Sequence, residues 1–297
     1  MSTAEIIAVD VGGTKTALAV VDPTSGRVRQ RTEFPTPRRE ETGEAFQRFL
    51  AGQIDQLGQQ TNSRRLGISL CELVDPSGLA RSAHRVLWSN TAMEQQLPGF
   101  EITVEADIRA AAVCESRLGA GRGYRDILYV NLGTGISSCW VTQGNPYPGA
   151  RGNALLLGSS RIAAIHGSSL RPDCFVVEER AGGAGLVARM REAGGQAEEN
   201  ARSVFEAEAS GNPIAKRTLD DAVQVLGLAI GAAVNLLDPE ALVLGGGLAH
   251  AGGPYGRPLE QAVRDEIWAA ETRSLPILRA AFQGDSALIG AALSAAG

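Results

Sequence analysis

The sequence predicts an α/β protein of two domains, and three observations carry that expectation. Short apolar runs alternate with segments of helical period along the whole chain. The 297 residues suffice for two separate cores, and the composition, 44% hydrophobic and 21% charged, is that of a globular chain. The opening pattern of strand, glycine turn and strand occurs twice, at Asp10-Val-Gly-Gly-Thr14 and again at Leu132-Gly-Thr-Gly-Ile136, so an internal duplication is expected.

Element by element, Glu5 to Val9 is a continuous apolar run and reads as a buried strand. Thr16 to Val21 and Arg27 to Phe34 follow as strands joined through Asp22-Pro-Thr-Ser-Gly26, so the sheet begins antiparallel. Glu40 to Gln60 places Phe46, Phe49, Leu50, Ile54 and Leu57 at helical spacing, and Leu66 to Leu70 is another strand. Ile102 to Val104 reads as a short strand before an Ala-rich helix, Ile108 to Leu118, which ends in the glycines at 119, 121 and 123. Ile127 to Leu132 and Ile136 to Val141 form a second hairpin. Pro213 to Leu237 is a long amphipathic helix, Ala241 to Leu244 a strand, Pro258 to Glu271 a helix, Ile277 to Ala280 a strand and Ser286 to Ala296 a helix of small residues. The expected domains are residues 1–121, with 286–297 packing back on them, and residues 122–285.

A formal charge of -5 without any basic run excludes a non-specific nucleic-acid binder. The chain has neither a signal-like start nor the roughly 18 to 20 consecutive apolar residues that a membrane span needs, so no membrane partner is expected. Cys71, Cys114, Cys139 and Cys174 are scattered without a CxxC pair, which argues against structural disulfides and for a cytoplasmic location.

The glycine turns carry the chemistry. In Asp10-Val-Gly-Gly-Thr-Lys-Thr16, Gly12 and Gly13 lack Cβ atoms, so backbone N–H groups can approach an anion. Thr14 and Thr16 add hydroxyls, Lys15 adds a positive charge, and Asp10 can hold a hydrated Mg²⁺ that binds phosphate. The bland alternative is a tight hairpin with a capping aspartate. Gly133-Thr134-Gly135 and Gly245-Gly246-Gly247 repeat the pattern, each after a strand. Neither a Walker loop nor a dinucleotide GxGxxG opens a helix after the first strand, so the glycine turns read as a phosphate clamp of another kind, with Mg²⁺ held by Asp10.

These pieces resemble the ROK family of sugar kinases and repressors. The similarity rests on Asp10 to Thr16, Leu132 to Ile136, Asn235-Leu-Leu-Asp-Pro-Glu240 with Leu244 to Gly247, and Asp285 to Ala292, in the family's order along nearly the whole chain. It implies an actin-like ATPase fold of the hexokinase type, two domains with a cleft between them that close on ATP with Mg²⁺ and on the substrate, and a homodimer. Only nine residues precede Asp10, where the family's repressors carry a DNA-binding segment. Val104-Glu-Ala-Asp107 stands where the family has its catalytic aspartate, so the resemblance implies that Asp107 is the base for the attacking hydroxyl. An N-cap role for Asp107 is compatible with that.

Departures from the family fall on the sugar shell. In Gly149 to Ser159, Leu156 stands where the family has a sugar-binding glutamate and Ser159 where it has a zinc-binding histidine. Of the cysteine cluster only Cys174 remains, with His166 as one further ligand, so no zinc site is expected. Ala106 replaces an asparagine, and Cys71-Glu72 a Pro-Gly turn. The substrate residues expected are Glu72, Asn90, Asp107, Gly152, Asn153 and Glu178. Glu72 facing a pocket would suit an amino sugar such as kanosamine, and the lost anomeric contacts would suit a C7-cyclitol. The competing reading is a weakly catalytic regulatory protein that keeps the nucleotide fold.

Overall fold

The computed structural model describes residues 5–61, 63–164 and 173–297. The chain separates into two compact units. The first comprises Met1–Gly123, Val141–Ala154 and Gly284–Gly297; the second comprises Tyr124–Trp140 and Leu155–Gln283. The segment Val141–Ala154 therefore goes with the first unit, where the sequence reading places it in the second.

In the first unit β1 (Ile6–Val11), β2 (Lys15–Asp22), β3 (Arg27–Pro35), β4 (Arg65–Leu70) and β5 (Glu101–Ala106) form one sheet in the order β3-β2-β1-β4-β5. β1 runs antiparallel to β2 but parallel to β4, and β4 parallel to β5. Their carboxyl ends therefore share one edge of the sheet, the edge where open α/β sheets bind ligands. The β2–β3 turn closes because the Asp22 carboxylate takes the Thr24 N–H at 2.9 Å and the Ser25 hydroxyl at 2.7 Å, while Gly26 supplies a φ of 71°.

Helix α1 (Glu44–Thr61) buries Phe46, Leu50, Ile54 and Leu57 on the sheet. Phe49, expected on the same face, is half exposed and meets Phe34 edge-on at 5.2 Å. Helices α2 (Asn90–Gln96), capped by Ser89, and α3 (Asp107–Arg117) follow. The chain then enters β6 (Asp126–Leu132) and β7 (Ile136–Thr142), whose last residues pair with β8 (Asn145–Pro146) in the first unit.

In the second unit β9 (Arg161–Ala164) and β10 (Asp173–Val176) form a hairpin, succeeded by α4 (Val177–Ala181), α5 (Gly183–Glu192) and α6 (Arg202–Ala209). Helix α7 (Pro213–Leu237) starts where Asn212 accepts the N–H groups of Ile214 and Ala215, with Pro213 in the first turn. Contrary to the sequence reading, α7 is long and apolar enough to cross a membrane by length and composition. Its apolar face, including Leu219, Leu226, Ile230 and Val234, lies in the second core. Strands β11 (Ala241–Gly245) and β12 (Ile277–Arg279) complete the order β12-β11-β6-β7.

Between them, α8 (Arg257–Asp265) ends six residues before the expected Glu271. The Asn235 side chain draws the chain out of the helix, donating to the Glu266 carbonyl at 2.8 Å and accepting the Trp268 N–H at 2.9 Å. Helix α9 (Ser286–Ala296) returns to the first unit, lying on β4 and α3. A methyl at Gly67 would stand 1.9 Å from the Ala291 carbonyl oxygen, and one at Gly290 1.8 Å from that of Ala110, so only glycine permits this seam.

Candidate active site

At the shared carboxyl edge, strand register lines up Asp10, Ser69 and Glu105 across β1, β4 and β5. Strand alternation puts these side chains on one face, and the Ser69 hydroxyl donates to the Asp10 carboxylate. Burial raises the Asp10 carboxyl above its ordinary range and Asp285 adds to that, while the Ser69 bond and the charges of Lys15 and Arg31 work the other way. Asp107 is the first residue of α3, its Oδ1 accepting the Ile108 N–H at 2.6 Å. Burial, and then the charge of Asp10, push its carboxyl up to about 7. Two carboxyl groups that resist ionising together leave one of them poised as a proton acceptor near neutral pH. Cys71, at the same edge, is held as a thiol, pushed up to about 12 by burial and the charges of Asp107, Glu72 and Asp10.

The β1–β2 turn closes through the Gly12 N–H on the Lys15 carbonyl at 3.0 Å. The Gly13 and Thr14 N–H groups meet no acceptor among the described residues, and Thr14 is exposed. Two expected anion donors are otherwise engaged. The Lys15 ammonium is ion-paired with Glu33 at 2.8 Å, and the Thr16 hydroxyl is fully buried against that of Thr36 at 2.8 Å. The alternation of β2 turns Thr16 inward, so its side chain cannot meet a ligand at the turn.

Glu72 also departs from expectation. One carboxylate oxygen accepts the Ser82 hydroxyl and the His84 N–H, the other the Arg85 and Val86 N–H groups. Burial alone would raise this carboxyl, but the four bonds outweigh it and hold it below its usual range. With every acceptor position filled and only 5% of its surface exposed, Glu72 organises the 82–86 loop and has nothing left for a substrate amine.

Asn90 is similarly engaged: Nδ2 donates to the Gly78 carbonyl at 2.8 Å and Oδ1 accepts from Ala80 at 3.4 Å. It lines a cavity of about 420 Å³ with Asp75, Glu105 and Arg109. Gly152 has φ 80°, and a methyl there would stand 2.0 Å from the Val74 carbonyl oxygen, so its role is close packing. Asn153 beside it is exposed. Sequence reading missed Arg109, whose buried guanidinium pairs with Glu105 and donates to the Gly152 carbonyl at 2.9 Å and the Val74 carbonyl at 2.7 Å. Its spacing of four from Glu105 was the available signal.

In the second unit the Gly133 N–H donates to Gly135, and the carbonyls of Gly133 and Thr134 accept from Gly183 and Ala184 at the start of α5. Gly133, Thr134, Gly183 and Ala184, with Gly247, Leu248 and Phe205, line a cavity of about 820 Å³, polar at the glycine turns and apolar at Leu248 and Phe205. Gly245 and Gly246 do not line this cavity, and close packing requires glycine at both. Gly245 is buried against the Tyr129 ring, with its oxygen 2.2 Å from a would-be methyl, and Gly246 has φ 83° with the Leu132 carbonyl 2.3 Å from one. Glu178 belongs to this unit and backs the Gly135 turn, its carboxylate accepting the Ile136 N–H at 3.3 Å.

In the 149–159 segment Leu155 holds φ 55°, strained for a leucine, and Leu156 is 44% exposed. Ser159 and Cys174 are exposed, and His166 lies outside the described residues.

The model of the ROK family matches residues 6–297. The chain is 29% identical over 253 residues to the N-acetylgalactosamine kinase AgaK of Shewanella sp. (strain ANA-3), covering 81% of each. It is 32% identical over 266 residues to the bifunctional enzyme NanE/NanK of Brucella suis, matching 84% of this chain but spanning only 46% of that protein. Among solved structures, a ROK hexokinase from Thermus thermophilus superposes with a TM-score of 0.81 at 27% identity, over 98% of this chain and 97% of that one. A ROK glucokinase from Streptomyces griseus, solved with glucose and AMPPNP, gives a TM-score of 0.78 at 26% identity, over 97% and 98%.

Proposed function

The chain belongs to the ROK family, and we propose that it transfers the γ-phosphoryl group of ATP to a primary hydroxyl of a hexose-like sugar. The observation that carries this reading is the pair Asp107 and Asp10 at one sheet edge, with the Asp107 carboxyl held near neutrality. An N-acetylgalactosamine kinase and a glucokinase among its relatives support a sugar as acceptor. In the step proposed, Asp107 takes the hydroxyl proton as the sugar oxygen bonds to phosphorus. The bond from phosphorus to the β,γ-bridging oxygen breaks, leaving ADP and a sugar phosphate.

The free N–H groups of Gly13 and Thr14 suit a phosphate, and the cavity at Gly133, Thr134 and Gly247, with Phe205 and Leu248, suits an adenosine. The Asp10 carboxylate is the residue that fits a hydrated Mg²⁺, which when bound would neutralise phosphate charge. The hydrogen bond from Ser69 fixes the Asp10 carboxylate.

The Glu72 carboxylate, which accepts four donors, lends no support to an amino-sugar acceptor. A C7-cyclitol, which has no anomeric centre, is the second acceptor class, on the ground that Leu156 stands where the family has a sugar-binding glutamate. A homodimer belongs to the same reading, since Trp268 and Leu236 are 86% and 84% exposed and linked through Asn235. The test is ATP turnover with Mg²⁺ across hexoses, N-acyl hexosamines, amino-hexoses and cyclitols, with Asp107→Asn as control. Turnover of one class, abolished in the control, is the expected result. Nucleotide binding without turnover of any class would favour the regulatory reading.

A further inference from the structure

We propose that Arg85 is the cation that meets the terminal phosphate at the first glycine turn, the task that the sequence assigns to Lys15; this rests on the kinase reading above. Its backbone is fixed by Glu72, whose carboxylate gathers the N–H groups of His84, Arg85 and Val86 and the hydroxyl of Ser82 into one loop. From that loop the Arg85 side chain runs over Gly13. A methyl added at Gly13 would lie 3.7 Å from both its Cγ and its Cδ.

The other cations around the turn are engaged. Lys15 pairs with Glu33, Arg31 with Glu33 and Asp285, and Arg109 is buried on Glu105 and two carbonyls. Arg85 is exposed, and its guanidinium has no hydrogen bond or ion pair among the described residues.

An anion brought to Gly13 and Thr14 approaches the Asp10 and Asp107 carboxyl groups, a repulsion that a fixed cation at the same turn offsets. A guanidinium offers two parallel N–H donors to a phosphate, which an ammonium cannot match in geometry. Glu72 thereby acquires a place in the mechanism at one remove, as the anchor of the loop that aims the arginine. The Arg85 stem thus passes over the bare Cα of Gly13, at van der Waals distance from where a Cβ would stand.

The test uses the full chain with Arg85→Ala and Arg85→Lys, reading calorimetric affinity for Mg·AMPPNP and for AMP, melting temperature, and kcat. Arg85→Ala should weaken AMPPNP about 10- to 100-fold, as expected for a lost charged hydrogen-bond pair. AMP binding and melting temperature should hold at the wild-type level, and Arg85→Lys should recover part of the loss. AMPPNP affinity in Arg85→Ala within about twofold of wild type would overturn the proposal, as would a wild type that binds AMPPNP no better than AMP. Weakened AMPPNP with no sugar phosphorylated by the wild type would leave the arginine assignment standing and remove the kinase reading. Unchanged affinity and kcat beside sugar turnover would do the reverse.

Discussion

The carboxyl edge of the first unit and the glycine-lined cavity of the second are both built after buried strands, yet they are held by opposite means. At the first, side chains do the holding: Ser69 on Asp10, four donors on Glu72, Glu33 on Lys15, Glu105 on Arg109. At the second, backbone meets backbone, with Gly133 and Thr134 carbonyls taking the N–H groups of α5 and Gly246 lying against the Leu132 carbonyl. The first can therefore tune charge and proton affinity, while the second offers shape and fixed dipoles. Carboxylates change charge with pH and backbone dipoles do not, so the two regions respond to different perturbations.

The sharpest way to break this contrast is Asp107→Asn. Removing a general base should lower kcat/KM by about 10²- to 10⁴-fold. In the wild type, kcat/KM should rise with pH through about 7 and level off above it, because the base acts only when ionised. The stability sign is opposite. A folded carboxyl raised above its ordinary 3.8 opposes the fold increasingly as pH climbs from there to about 7. Asp107→Asn should therefore melt higher than wild type at pH 8 and show a smaller gain at pH 5. An equal gain at both pH values would mean that Asp107 is not raised.

A second test separates the glycines of the second cavity. Gly246→Ala forces a methyl toward the Leu132 carbonyl at positive φ and should destabilise by roughly 2 to 4 kcal/mol. Gly247→Ala meets nothing within 4 Å, so its melting temperature should stay near wild type while the KM for ATP rises. Equal melting losses would show that the cavity is not held as described.

The smallest effect belongs to Glu72→Gln, which replaces one acceptor oxygen by a donor nitrogen and should cost about 1 to 3 kcal/mol. Because Glu72 is held below its usual range, the stability it lends is present above pH 4.5 and fades as pH falls through its lowered value. The deficit of the variant should shrink in acid; a deficit independent of pH would sever Glu72 from the loop.

Much of this was legible in the sequence. Apolar runs located β1, β4, β6 and β11, and Asn212-Pro213 marked the start of α7, because strand and helix patterns are local. Motif order likewise brought Asp10 and Asp107 forward. Side-chain partnerships were not legible, since each is chosen by residues far along the chain. Thr16 turns to Thr36, Lys15 to Glu33, and Glu72 to residues 82–86, partners that residue type alone does not reveal. A glycine that packing requires, as at 245 and 246, reads the same in sequence as one that a ligand requires.

The seam between α9 and the first sheet bears on how the chain comes together in time. Arg65 reaches the carbonyl of Ala295, 230 residues further on, and Ser286 bonds Glu115 across 171. Closing contacts of such separation is slow compared with forming local ones. On a translating ribosome the first unit would wait with Gly67 and Ala110 uncovered while the second unit, most of it continuous in sequence, folds ahead of it. The half of the protein that is made first is thus the half that is finished last.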